Sequence, residues 1–182
     1  MLKSIRWKTF PRDFFVIQIG FLLYGLSIAL AIRANLGTGT WAVLDVAISK
    51  ITGLTPGTMT VIVGFIVLVS ALLMREQIGW GTLGNILSIG PWLDLALYFI
   101  PSVENNWSLQ LLMLLTGTLL QGIATAIYIG VDVGAGRRDS LMLAVKRTSG
   151  WSLRRARGRV EGIVVLLGWI LGGPLGIGTV IF

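Results

Sequence analysis

Residues 20–85 and 117–182 align without a gap at an offset of 97, and 17 of the 66 paired positions are identical. Composition alone gives about five matches over such a length, so the chain carries an internal repeat. Seven identities are glycine pairs: Gly20/Gly117, Gly25/Gly122, Gly37/Gly134, Gly39/Gly136, Gly53/Gly150, Gly79/Gly176 and Gly81/Gly178. Each half must therefore fold by the same plan. The stretch "GWGT" at 79–82 leads into a long apolar run, whereas its counterpart "GIGT" at 176–179 leads to Phe182. The repeat thus predicts a further helix after the second copy.

The apolar residues come in blocks, at 14–32, 57–74, 82–100 and 107–129, with a shorter one at 160–171. A membrane-crossing helix needs about 20 residues. The last block reaches that length by extending back into "SLRRARG", its arginines snorkelling to the headgroups. Charged residues make up 13% of the chain and mean hydropathy is +0.83, against about 25% charged in soluble domains. These features predict an all-α polytopic membrane protein. A basic N-terminus (1–13) precedes a first repeat of three helices (14–100), an outer linker (101–106) and a second repeat (107–182) holding two helices and the start of a sixth. Short interfacial or re-entrant helices are expected near 40–50 and 138–148. Ala29-Leu30-Ala31 has the look of a signal-peptide cleavage site, but a first span with a partner deep in the chain argues against removal.

With the N-terminus in the cytoplasm, thirteen of the fifteen Lys and Arg residues lie on the inner side, and only Arg33 and Lys50 on the outer. This asymmetry follows the positive-inside rule. A complete repeat has an odd number of spans, so its second copy enters the membrane inverted. The connector at 33–56 then faces out and its counterpart at 130–153 faces in. That explains why "GTGTWAVLDVAISK" (37–50) is nearly neutral while "GAGRRDSLMLAVKR" (134–147) is basic. Inverted repeats of this kind build many secondary transporters.

The chain has no Cys and no His. Thiol nucleophiles, common zinc sites and His-ligated haem are thereby excluded within it, and no catalytic, cofactor-binding or metal-binding residues are expected. The net charge of +7 sits in loops beside apolar runs, which points to anionic lipid headgroups rather than nucleic acid. Arg154, Arg155, Arg157 and Arg159 are the expected lipid-facing group. Glu161, four residues after Arg157, and Asp139, beside Arg138, are placed for local ion pairs.

Several motifs carry sharper expectations. Gly25 and Ala29, with their counterparts Gly122 and Ala126, are small residues four apart, which predicts that the first and fourth spans cross closely. Two glycine turns, Asn35-Leu36-Gly37-Thr38-Gly39-Thr40 and Asp132-Val133-Gly134-Ala135-Gly136-Arg137, each end a span and start a short helix. Thr40 is placed to cap one short helix and Asp139 to sit in the first turn of the other. The simpler reading is a plain turn; the sharper one is a set of free N–H groups facing an anion or substrate. Gln121, Thr125, Tyr128 and Asp132 fall at i, i+4, i+7 and i+11 on one helix face, extended by Thr118. Such a face either lines a cavity or makes interhelical hydrogen bonds. Asp94, with Tyr98 and Pro91 one turn away on either side, is an ionisable residue within a span. It is a candidate for a proton, a cation or an arginine partner unless it lies near the hydrated surface. The expected cavity set is Asp94, Tyr98, Gln121, Thr125, Tyr128, Asp132, Asn35, Thr38 and Thr40.

The stretches "ANLGTGTWAVLDVAISKITGLTPGT" (34–58), "GWGTLGNI" (79–86), "GAGRRDSLML" (134–143) and "GWILGGPLGIGT" (168–179) resemble the YczE/YyaS/YitT family of bacterial integral membrane proteins, its YczE-like branch most closely. The resemblance covers nearly the whole chain. It implies a bacterial inner (plasma) membrane protein, a further helix beyond Phe182 and a transporter-like character, and it transfers no catalytic residues. The leading expectation is a transporter-like protein that binds or moves a small molecule or ion. The alternative is an accessory subunit of a larger membrane complex; the partner expected, beyond the lipid, is a second copy of the chain or that complex. An intramembrane enzyme is not expected, because the only conceivable carboxylate pair, Asp94 and Asp132, lies toward opposite membrane faces in this topology.

Overall fold

Every apolar block is a helix in the computed structural model, which describes residues 7–76, 78–131, 133–134 and 136–181. Among these residues the helices run α1 (Phe10–Ala34), α2 (Thr40–Thr52), α3 (Pro56–Leu73), α4 (Trp80–Phe99), α5 (Trp107–Gly130), α6 (Arg137–Ser149), α7 (Leu153–Ile170) and α8 (Ile177–Ile181). Three of them, α1, α3 and α5, are long and apolar enough to cross a membrane. With 20 and 18 residues, α4 and α7 also reach crossing length. The fifth block does extend back through its arginines, since α7 starts at Leu153.

Local chemistry sets the ends. The Thr55 hydroxyl accepts the Thr58 N–H at the start of α3, and Ser152 does the same for Arg155 at the start of α7. The two 13-residue helices, α2 and α6, stop on Gly53 (φ 74°) and Gly150 (φ 69°). That left-handed cap suits glycine because it has no Cβ to clash. Thr40 does not cap α2 as expected: Gly39 is the N-cap, no side chain caps the helix, and Thr40 is its first residue. Asn35 closes α1 in the left-handed region (φ 54°), its N–H reaching Ile32 O at 3.3 Å.

Lipid tails are as apolar as leucine, so helix association in a membrane depends on close packing and interhelical hydrogen bonds. The most extensive association is between α1 and α5, which run antiparallel. A Cβ on Gly20 would stand 3.3 Å from Ile127 Cγ2 and 3.4 Å from the Ala124 carbonyl oxygen. On Gly117 it would stand 3.0 Å from the Ser27 carbonyl oxygen and 3.4 Å from Leu30 Cβ. The partners are themselves 97 apart, Ser27 with Ala124 and Leu30 with Ile127. The first and fourth spans thus cross, but through other glycines than those expected. Gly25 lies against α4, where a Cβ would come within 2.8 Å of the Leu93 nitrogen. Gly122 meets nothing within 4 Å, and Ala126 is exposed while Ala29 is buried. The difference arises because α4 covers the Gly25 face of α1, and no described helix covers the Gly122 face of α5.

The turns repeat the pattern. Gly37 packs on Gly176 and Gly134 on Gly79. The Gly81 N–H donates to Val133 O at 3.2 Å, and the Gly178 N–H donates to Leu36 O at 2.9 Å. Each contact maps onto the other at the 97-residue offset with the partners exchanged. The far ends of the short helices lie apart: Thr52 of α2 is beside Met59 near the start of α3, whereas Arg147 of α6 pairs with Glu76 at 3.6 Å and donates to Met74 O past the end of α3.

The α1–α5 contact makes a direct prediction. Gly117→Leu overpacks it and should cost about 1–3 kcal/mol, whereas Gly122→Leu has free space and a better helix former, and should leave stability unchanged or raise it. Thermal unfolding in detergent compares the two; equal losses would contradict this packing.

Candidate functional site

The starts of α2 and α6 meet beside α5, and between them lies a cavity of about 320 Å³ that also touches α1, α4 and α7. Ligand sites usually measure about 300–1,000 Å³, so this one suits a small molecule. The α5 stripe supplies Gln121, Thr125 and Tyr128 to its wall. Asp132 lies outside the described residues. Thr118 turns its hydroxyl back to Leu114 O at 2.9 Å.

The two short helices bring the charge. Arg138 and Asp139 come from the first turn of α6, and Thr40 and Trp41 from the first turn of α2. Tyr128 donates its hydroxyl proton to Asp139 at 3.1 Å. Arg138 donates to the Tyr24 hydroxyl at 3.5 Å, and its guanidinium sits 5.4 Å from the centre of the Trp41 ring, within cation–π range. Arg157 and Glu161 of α7 reach the wall as an ion pair of 3.0 Å, the local pairing that their spacing predicts. Neither short helix has a side-chain cap, so first-turn N–H groups, which lack intrahelical acceptors, stand at the cavity.

The other expected residues are placed elsewhere. Asp94 serves α3: its carboxylate accepts the Thr55 hydroxyl at 2.6 Å and the Gly57 N–H at 2.8 Å. A carboxylate there satisfies orphan donors at a helix start and complements its dipole. Tyr98 is 83% exposed and stacks edge-on against Phe99. Asn35 ends α1, and Thr38 is buried in the turn, its N–H held by Pro174 O at 3.3 Å. Arg154, Arg155 and Arg159 are exposed, and Arg159 covers the Trp151 ring at 3.8 Å; Arg157 alone of the four lines the cavity. Among the described residues no group of three His, Cys, Asp or Glu could hold a metal ion.

Sequence reasoning passed over Trp41, Tyr24 and Asn85 as lining residues, and treated Arg138 only as a neighbour of Asp139. One signal was available: Trp41 and Arg138 are counterparts at the 97-residue offset. Where two halves exchange contacts, the counterparts at the point of exchange are brought together, and the starts of α2 and α6 are such a point.

Three apolar helices and a small polar cavity, built from helix starts and a polar stripe, define a helical membrane protein. Its relatives agree. The chain belongs to the family described as "Family of unknown function (DUF6198)", whose model matches residues 11–182. It is 27% identical over 178 residues to the "Uncharacterized membrane protein YczE" of Bacillus subtilis (strain 168), covering 97% of this chain and 80% of that one. An "Uncharacterized protein" of Haemophilus influenzae is 32% identical over 176 residues, with 97% and 80% covered. The "Uncharacterized protein YyaS" of B. subtilis is 31% identical over 166 residues, with 90% and 83% covered. The YczE-like resemblance is thereby borne out. No solved structure matches.

The position of Asp94 yields a prediction. Asp94→Ala removes a helix-start acceptor and should cost about 1–2 kcal/mol in thermal unfolding, while the reactivity of a thiol placed at Thr125 stays the same. A change at Thr125 with stability unaltered would contradict a capping role.

Proposed function

We propose that this chain is a non-enzymatic, transporter-like protein of the bacterial inner membrane that binds or moves a small molecule or ion through the cavity between two inverted repeats. The single observation behind this reading is the exchange of contacts at the 97-residue offset around the α1–α5 crossing, with the starts of α2 and α6 converging on one polar cavity. Transporters built from inverted repeats place substrate at such interfaces, where broken helices present their N-termini. The excess of Lys and Arg on one side supports a cytoplasmic N-terminus, and Arg154, Arg155 and Arg159 are suited to anionic headgroups.

The natural absence of cysteine makes a clean test. A thiol at Thr125, in the cavity wall, should react with a small charged methanethiosulfonate at least about tenfold faster than one at Leu119, because only a water-exposed thiol ionises readily. Leu119 is 70% exposed on the outside of α5. Equal rates at the two positions would contradict a hydrated cavity.

A second reading, an accessory subunit, is favoured by Gly122, Gly158 and Gly162, which meet nothing within 4 Å and leave faces that another helix could approach closely. Native mass spectrometry from mild detergent separates the two. A monomer or homodimer retaining a small mass supports the first; a fixed complex with other chains and no retained mass supports the second.

A further inference from the structure

The charges at the corner where α6 turns into α7 do not cancel. An open cavity of about 530 Å³ lies there, lined by Glu76, Leu143, Lys146, Arg147, Gly150 and Trp151. Its one acid among the described residues, Glu76, is taken by Arg147 at 3.6 Å, and Arg147 is further fixed by donating to Arg75 O at 3.0 Å. Lys146 is exposed and pairs with no carboxylate among the described residues. Trp151 brings a second cation. Arg159 of α7 lies 3.8 Å from the centre of its ring and is likewise without a carboxylate partner among the described residues. Arg155, one turn earlier on the same face of α7, is exposed as well. Two helices and the turn between them thus present unbalanced positive charge around a half-buried tryptophan.

The repeat supplies an internal comparison. At the 97-residue offset Lys146, Trp151, Arg155 and Arg159 answer to Ser49, Leu54, Thr58 and Ile62. The backbone plan of the two corners is the same. Each 13-residue helix stops on a left-handed glycine, and each following helix starts on a hydroxyl cap, Thr55 or Ser152. Closing the corner therefore does not require the basic and aromatic side chains that only one copy carries.

Their surroundings identify what they suit. Leu143 in the cavity wall is 36% exposed, and Leu153, the first residue of α7, is 46% exposed. A soluble anion would meet the charge and leave these leucines uncovered. An anionic phospholipid serves both, with its phosphate against the cations and its acyl chains along the leucines. Tryptophan favours the headgroup level, and basic side chains there attract anionic lipid. A zwitterionic headgroup would bring its own cation to a place that already has an excess.

We propose that the corner between α6 and α7 is a seat for an anionic phospholipid, its phosphate held by Lys146 and Arg159 beside Trp151. The seat shares no residue with the cavity at the starts of α2 and α6 and stands independently of it.

The test follows thermal unfolding of the full chain in maltoside micelles doped with phosphatidylglycerol or phosphatidylcholine at equal mole fraction. Saturable stabilisation by phosphatidylglycerol alone is expected. Lys146→Gln or Arg159→Gln should raise the half-saturating fraction about fivefold, and the two together at least about tenfold. The single variants carry the test if the double one does not fold. Lys8→Gln with Arg12→Gln removes as many charges from the same expected side and should change that fraction less than about twofold. Equal stabilisation by both lipids would overturn the proposal. An equal loss in the two double variants would also overturn it, because the attraction would then be diffuse. Sodium phosphate reproducing the effect at constant ionic strength would overturn it too, by making the ligand a soluble anion.

Discussion

The contact of bare backbone between α1 and α5 is the constraint on which the rest of the structure depends. In a membrane no hydrophobic drive pushes two helices together, so they associate only as closely as their side chains permit. Gly20 and Gly117 remove the obstacle at two points on opposite sides of one crossing. Each rests on the partner helix two turns past the counterpart of the other. Interhelical bonds such as Ser27 Oγ to Gln121 Oε1 at 3.3 Å add to this contact. Once the crossing is set, the chain leaving α1 and the chain leaving α5 start from related places, and their glycine turns dock on "GIGT" and "GWGT" respectively.

Those docked turns bring α2 and α6 back toward the middle with their first turns facing each other. The frame is shared by the two halves, but the chemistry is not. Tyr24 and Gln121 are counterparts, as are Ile28 and Thr125, Ala42 and Asp139, and Trp41 and Arg138. Among the described residues the charged wall comes from the second half, whereas the first supplies apolar and aromatic surface together with Thr40 and Asn85. A backbone plan shared by the two halves thus carries an asymmetric cavity wall. Asp94 completes a different task, holding the start of α3 against the end of α4 through Thr55 and Gly57.

Much of this was legible in the residues. Block length and glycine punctuation located α1, α3, α4 and α5 to within a few residues, because lipid forces every backbone polar group into helix. The repeat pointed to α2 and α6 together, and helical periodicity put Gln121, Thr125 and Tyr128 on one wall. What escaped was decided by neighbours rather than by spacing. Gly25 and Gly122 are alike in sequence, yet one is covered by α4 and the other by nothing described. Asp94 looks like a lone membrane acid until Thr55, 39 residues earlier, is brought beside it. Trp41 reads as an ordinary apolar anchor, and only the approach of Arg138 from 97 residues away makes its ring part of the charged cavity wall.

In the proposed arrangement the two halves run head to tail across the membrane. Thr52 and Ser149 test it most directly, being exposed counterparts at the last turns of α2 and α6 with matching side-chain bonds, Thr52 to Ile48 O at 2.9 Å and Ser149 to Val145 O at 2.6 Å. Single cysteines at these two positions should be labelled by a membrane-impermeant maleimide from opposite sides, Thr52→Cys in intact cells and Ser149→Cys only after permeabilisation. Labelling of both from the same side would contradict the account.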